Sequence, residues 1–124
     1  MVKLNDEMKE TFAKVKLFPV ATASKIGVPN VAPIAFVMLV SDDTIWLADN
    51  YMNKTRANVL AGSRGSLLFI TKDGDSYQVK GRLEYLRDGE VYADMKKWNP
   101  AKHPGHAAVA LRVDEAYSGG KKLL

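Results

Sequence analysis

Cysteine is absent from this 124-residue sequence, which removes disulfides, thiolate nucleophiles and cysteine-ligated zinc together. No apolar run reaches the roughly 20 residues a membrane-spanning helix needs. The N-terminus carries charges within its first ten residues, so neither a secretory leader nor a membrane partner is expected. There is no glycine-rich phosphate loop of the dinucleotide or nucleotide-hydrolase kind, and no nucleophile elbow. Histidine is scarce. His103 and His106 are the only two, and they lack the cysteines or neighbouring acids that would complete a metal site, so no metal is expected and both are assigned to an exposed loop. Asp73-Gly74-Asp75 lacks the alternating carboxylates of a calcium loop and reads as a turn. Basic residues exceed acidic ones by 18 to 14 and are scattered, too mild a bias to demand nucleic acid. It does suit a small anionic ligand. With side-chain acid and base motifs missing, chemistry carried by a bound cofactor fits best.

What is present is an ordinary globular composition, with 47% hydrophobic and 26% charged residues. That argues against disorder and for one domain over residues 1–124 in a soluble, cytoplasmic protein. Asn5-Asp6-Glu7 opens a helix with a cap and first-turn acids, and Met8, Phe12 and Val15 form its apolar stripe up to Phe18-Pro19-Val20. Strands are expected over Val20–Ser24, Val31–Val40, Thr44–Leu47, Ser66–Thr71, Ser76–Leu86 and Ala107–Val113. Pro33 inside the second marks an edge, a bulge, or a place where something other than a strand faces the backbone. Residues Lys72–Asp75 form a hairpin turn, Asp88-Gly89-Glu90 opens a further helix, and 116–124 reads as a mobile tail. Six strands in hairpin succession, interrupted by short helices, point to a mainly β, small antiparallel barrel.

The chain is organised around Ala48-Asp49-Asn50-Tyr51-Met52-Asn53-Lys54-Thr55-Arg56-Ala57-Asn58-Val59. A strand leads in, Asn53 stands where an N-cap belongs, and a short helix runs to Gly62. Lys54 and Arg56 lie in the first helical turn, where acids are preferred. Two readings fit. One is a solvated basic turn in which screening makes the mismatch cheap. The other is a bound anion, most simply a phosphate monoester, held by Lys54, Thr55 and backbone N–H groups. Gln78 shares a strand face with Lys80 and Arg82. That face is either ordinary polar surface or, if a partner subunit covers it, a donor and acceptor for a heteroaromatic ring edge.

These stretches, with Ala21-Thr22-Ala23-Ser24, Pro29-Asn30-Val31-Ala32-Pro33 and Tyr77-Gln78-Val79-Lys80-Gly81, resemble the FMN-binding split-barrel family related to pyridoxamine 5′-phosphate oxidase, from about Phe12 to Tyr117. The resemblance implies a six-stranded antiparallel split β-barrel, a homodimer with flavin at the subunit interface, and FMN-dependent oxidoreductase chemistry. A non-catalytic FMN electron carrier and a deazaflavin-dependent reductase are the alternatives. It implies that Lys54 and Thr55 hold the FMN phosphate with Asn53 close by. Ala48, Asp49, Pro33, Ile34 and Ala35 would line the isoalloxazine, Gln78 would contact the flavin, and Trp98 with its loop would wall the partner's pocket. It supplies the anion that the charge pattern lacks. An Arg expected in the second strand is replaced around Pro33-Ile34, and the C-terminal Trp- and Arg-bearing segment of the vitamin B6 oxidases is missing, so B6 oxidation is not expected. No catalytic residue is assigned.

Overall fold

The computed structural model describes residues 3–71 and 73–123. In chain order the elements are α1 (Asp6–Lys14), β1 (Phe18–Ala23), β2 (Pro29–Ile34), β3 (Val37–Ser41), β4 (Thr44–Asp49), α2 (Lys54–Leu60), β5 (Arg64–Ile70), β6 (Ser76–Leu86), α3 (Gly89–Trp98), β7 (Ala107–Ser118) and β8 (Lys121–Lys122). All strand pairs are antiparallel, in the order β2-β1-β5-β6-β7-β4-β3, with the short β8 beside β7. The two edge strands, β2 and β3, are consecutive in sequence and joined only through Ala35 and Phe36. A sheet whose first and last strands are two residues apart must curl on itself, and the seam where they part is the split of a split barrel.

The single expected strand over Val31–Val40 is therefore two strands. The chain breaks at Ala35-Phe36, where the Phe36 carbonyl accepts the Ala48 N–H at 3.0 Å. With the two-residue β8 this raises the strand count from six to eight. Pro33 does lie on a sheet edge, facing Pro19 of β1 directly. Neither proline has an N–H to give, so the pair is tolerated only where β2 has no outer neighbour.

Helix α1 begins as expected: the Asn5 side chain accepts the Met8 N–H at 2.9 Å. It ends earlier, at Lys14, because Phe18 and Pro19 open β1 rather than closing the helix. Met8 and Phe12 are buried, and Phe12 meets Phe18 and Phe69 at ring-centroid distances of 4.6 and 5.5 Å. A second small cluster forms where α3 sets Met95 against Ala48 and Ala108, with Phe36 and Trp98 at its margin. This cluster backs the seam.

Strand β6 alternates as its sequence suggests, burying Tyr77, Val79 and Gly81. The register slips between Lys80 and Gly81, and a Cβ on Gly81 would stand 1.8 Å from the Arg112 carbonyl oxygen. Backbone cannot step aside as a side-chain tip can. Gly81→Ala is expected to cost about 1–3 kcal/mol through overpacking, read as a lowered thermal midpoint with the ligand site intact.

The tail expected to be mobile is partly built into the sheet. Ala116 is fully buried in β7, and the Leu123 N–H donates to the Ala116 carbonyl at 2.8 Å. Leu124 and Lys72, the latter in the expected hairpin turn, lie outside the described residues. Gly74 of that turn has a φ of 91°, which a glycine accepts without strain. No described helix is long and apolar enough to cross a membrane.

Candidate functional site

An open cleft of about 570 Å³ follows the seam. Edge strand β2 supplies Asn30 through Ile34, the link supplies Ala35 and Phe36, and β4 supplies Ala48. The segment leading into α2 supplies Asn50 through Thr55. Of the sequence-derived site residues, Lys54, Thr55, Asn53, Ala48, Pro33, Ile34 and Ala35 all line this one cleft. Asp49 and Gln78 do not.

Asp49 is wholly buried and points away from the cleft lining. Its carboxylate accepts from Arg56 Nε at 2.6 Å and a second Arg56 guanidinium nitrogen at 3.0 Å, from the Tyr85 hydroxyl at 2.5 Å, and from the Met52 N–H at 3.0 Å. Burial pushes this carboxyl up, but the bonds from Arg56, Tyr85 and Met52 outweigh it and hold the pKa below the ordinary carboxylate value. The same pairing raises Arg56, so the guanidinium stays charged throughout. Asp49 thus acts on the site from behind. It closes the turn into Met52 and ties α2 to β4 and β6.

This pairing settles the two-cation anomaly at the start of α2. Arg56 is neutralised by Asp49, whereas Lys54 is exposed and has no ion pair or hydrogen bond among the described residues. Asn53 occupies the N-cap position, but its side chain makes no capping bond, and its φ and ψ of −131° and −81° are unlike an ordinary cap. The side chain is left exposed on the cleft wall. Thr55 is 3% exposed and accepts a hydrogen bond from Asn30 Nδ2 at 3.1 Å. Because Asn30 is the donor, the Thr55 O–H stays available to donate to a ligand. Asn58, one turn on, donates to Thr22 at 3.0 Å and anchors the helix to β1.

Gln78 lies elsewhere. Its Nε2 donates to Ser66 Oγ at 2.7 Å beside a separate shallow hollow of about 260 Å³, with Lys80, Arg64 and residues Ala21–Ala23 around it. Within one chain it does not meet Lys54.

His103 departs from its expected place in an exposed loop. It is half-buried and lines the cleft, with its ring 5.0 Å from Phe36 and edge-on to Tyr51 at 5.5 Å. Its Nδ1 is 2.9 Å from the Tyr51 hydroxyl. The loop that carries it is fixed by buried amides: Asn50 and Asn99 exchange two 2.9 Å hydrogen bonds, and the Gly105 N–H donates to Asn50 Oδ1. The His106 N–H donates to the Asp49 carbonyl, while the His106 side chain stays exposed outside the cleft. No local pattern announces this, because a loop held by residues 49–55 positions apart has no periodicity to read. Trp98 packs within its own chain near Ala48 and Met95, and its loop walls the same chain's cleft through His103. Among the described residues no cluster of His, Asp or Glu could hold a metal.

The curled antiparallel sheet thus carries a cleft along its seam, lined by Lys54 and a wall of small residues. The family model described as pyridoxamine 5′-phosphate oxidase matches residues 4–119, and the chain belongs to that family. An uncharacterized protein of Methanocaldococcus jannaschii is 33% identical over 123 residues, covering 95% of this chain and 82% of the relative. Among solved structures, HupZ of Group A Streptococcus superposes with a TM-score of 0.88 at 24% identity, over the full length of both chains. An FMN-binding protein from Syntrophomonas wolfei gives 0.79 at 23%, covering 92% of this chain and 82% of the other. HutZ, the heme storage protein of Vibrio cholerae, gives 0.69 at 16%, covering 94% and 95%. At such identities these three establish the fold, and its ligand has to be argued from the cleft.

Proposed function

We propose that the protein is a cytoplasmic flavoprotein that binds FMN in the seam cleft and uses it in oxidoreductase chemistry other than vitamin B6 oxidation. One observation carries this reading: Lys54 is the cleft's only unpaired cation among the described residues, and it stands beside a Thr55 hydroxyl left free to donate. A phosphate monoester satisfies both. The remainder of the wall supports a flat ring, since Ala32, Pro33, Ala35 and Ala48 leave main chain close to the surface. The volume falls within the roughly 300–1,000 Å³ usual for small-molecule and cofactor sites. Bound there, FMN supplies hydride and single-electron transfer. The chain's own part is to fix the phosphate, back the ring with small side chains and Phe36, and leave one ring face to a second molecule.

Gln78 enters through assembly. The hollow beside it carries Lys80 and Arg64, and a second copy of the chain laid across it would bring Gln78 to the partner's flavin. The reading is therefore a homodimer with flavin at the interface. Light scattering should give a dimer that loses FMN on dissociation; a monomer keeping stoichiometric FMN would overturn this part.

The test of the whole is reconstitution. Apo-protein titrated with FMN should quench flavin fluorescence to one equivalent per chain and acquire oxidised-flavin absorbance, with a heme or deazaflavin spectrum in the protein as purified counting against it. Ala35→Trp should fill the cleft and abolish uptake while circular dichroism remains that of the parent. Unchanged FMN content would place the ring elsewhere.

A further inference from the structure

Among the described residues, three side chains lining the cleft can gain or lose a proton: Lys54, Tyr51 and His103. If Lys54 is committed to a phosphate, the other two form a single hydrogen-bonded unit at the cleft wall. The loop from Asn99 to His106 has no regular structure, yet four hydrogen bonds tie it to Asp49 and Asn50. What that anchoring places in the cleft is the imidazole of His103, set against the Phe36 ring.

The contact between Tyr51 and His103 bears on which hydrogen the imidazole offers. Tyr51 Oη lies 2.9 Å from Nδ1. A phenol is the stronger donor of the two and a pyridine-type imidazole nitrogen the stronger acceptor, which favours the arrangement in which the O–H donates to Nδ1. The hydrogen of the neutral ring then resides on Nε2. In the imidazolium form Nε2 carries a hydrogen as well. No hydrogen bond of Nε2 is found among the described residues, so in this tautomer it presents a donor N–H in either state.

We propose that His103, locked in this tautomer by Tyr51, is the hydrogen-bond donor that recognises an acceptor atom on the polar edge of the heteroaromatic ring bound in the cleft. The proposal rests on the FMN reading above. It makes His103 a specificity residue: rings with a carbonyl or nitrogen acceptor at that edge are favoured over rings without one. Tyr51 is a positioning residue that acts through it.

The presence of only two histidines makes the test direct. Long-range proton–nitrogen spectra of labelled apo-protein should place the His103 hydrogen on Nε2, and Tyr51→Phe should release that preference. FMN should move the His103 ring signals and leave those of His106 in place. His103→Gln, whose Nε2 can donate from a similar position, should keep FMN affinity. His103→Phe preserves the aromatic contact with Phe36 and removes the donor; it should weaken FMN about 2- to 13-fold, the effect of one neutral hydrogen bond. Failure of the wild-type protein to take up FMN would overturn the FMN reading and this proposal with it. Stoichiometric uptake with unmoved His103 signals, or with the hydrogen on Nδ1, would overturn the proposal alone. An equal loss of affinity in His103→Gln and His103→Phe would overturn it too, since the role would then be structural. Should His103→Phe not fold, the wild-type spectra decide.

Discussion

Replacing Lys54 by Ala should weaken FMN binding about 10- to 150-fold, the equivalent of a charge-assisted hydrogen bond of roughly 1.5–3 kcal/mol. The expectation is sharpened by Arg56. Because Asp49 holds that guanidinium through two of its nitrogens, it cannot swing out to replace the lost cation without leaving a buried carboxylate unpaired. Riboflavin, which lacks the phosphate, should bind the parent weakly and be almost indifferent to the substitution. The apo-variant should be no less stable, since the removed charge opposed the helix dipole. Fluorescence titration of both ligands into both apo-proteins measures the difference. Equal losses for FMN and riboflavin would show that Lys54 supports the pocket generally and does not hold the phosphate.

The largest effect on stability is expected at Asp49. Asp49→Ala leaves the Arg56 guanidinium, the Tyr85 hydroxyl and the Met52 N–H without their shared acceptor. Removing one partner of a buried ion pair costs about 3–5 kcal/mol. Arg56, with 32% of its side chain exposed, recovers some of that through water, which favours the lower end. At several degrees per kcal/mol for a domain of this size, the thermal midpoint should fall by roughly 10–15 °C. Asp49→Asn keeps the shape and one acceptor and should fall by less. FMN affinity should drop in both variants, because the turn through Met52 that presents Lys54 and Thr55 loses its closing bond.

The same carboxylate gives a pH dependence whose sign follows from the direction of its shift. Its folded pKa lies below the ordinary value, so over the interval between them the unfolded chain binds a proton that the folded chain does not. Stability from this group is complete above the unfolded value of about 3.9 and is lost as pH falls through the folded one. Denaturant midpoints measured from pH 6 downward should decline more steeply for the parent than for Asp49→Asn. Parallel curves would mean that the Arg56 pair contributes little.

Much of this protein was determined by its sequence alone. Alternation in β6, the Asn5 cap of α1, the irregularity that Pro33 imposes on its strand and the strand-to-helix passage through Lys54 are local patterns, and each reflects a short-range rule of backbone geometry or side-chain direction. They sufficed to read a mainly β antiparallel barrel; the nine named site residues came with the family resemblance, and the structure places seven of them along one cleft. Only the tertiary structure decided the rest, because most of the deciding contacts join residues far apart in the chain and the nearer one, Arg56 to Asp49 seven residues away, follows no helical or strand period. Asp49 was read as a ring contact because it sits in the motif, yet Tyr85, 36 residues away, and Arg56 draw its carboxylate inward. Gln78 belongs to a different hollow because β6 lies beside β5, with β7 separating it from β4 and the seam. His103 reaches the cleft because Asn50 and Asn99 pair across 49 residues, a contact that no periodicity encodes. Charge pattern located the cation, and the fold determined which of the two cations was left free to bind.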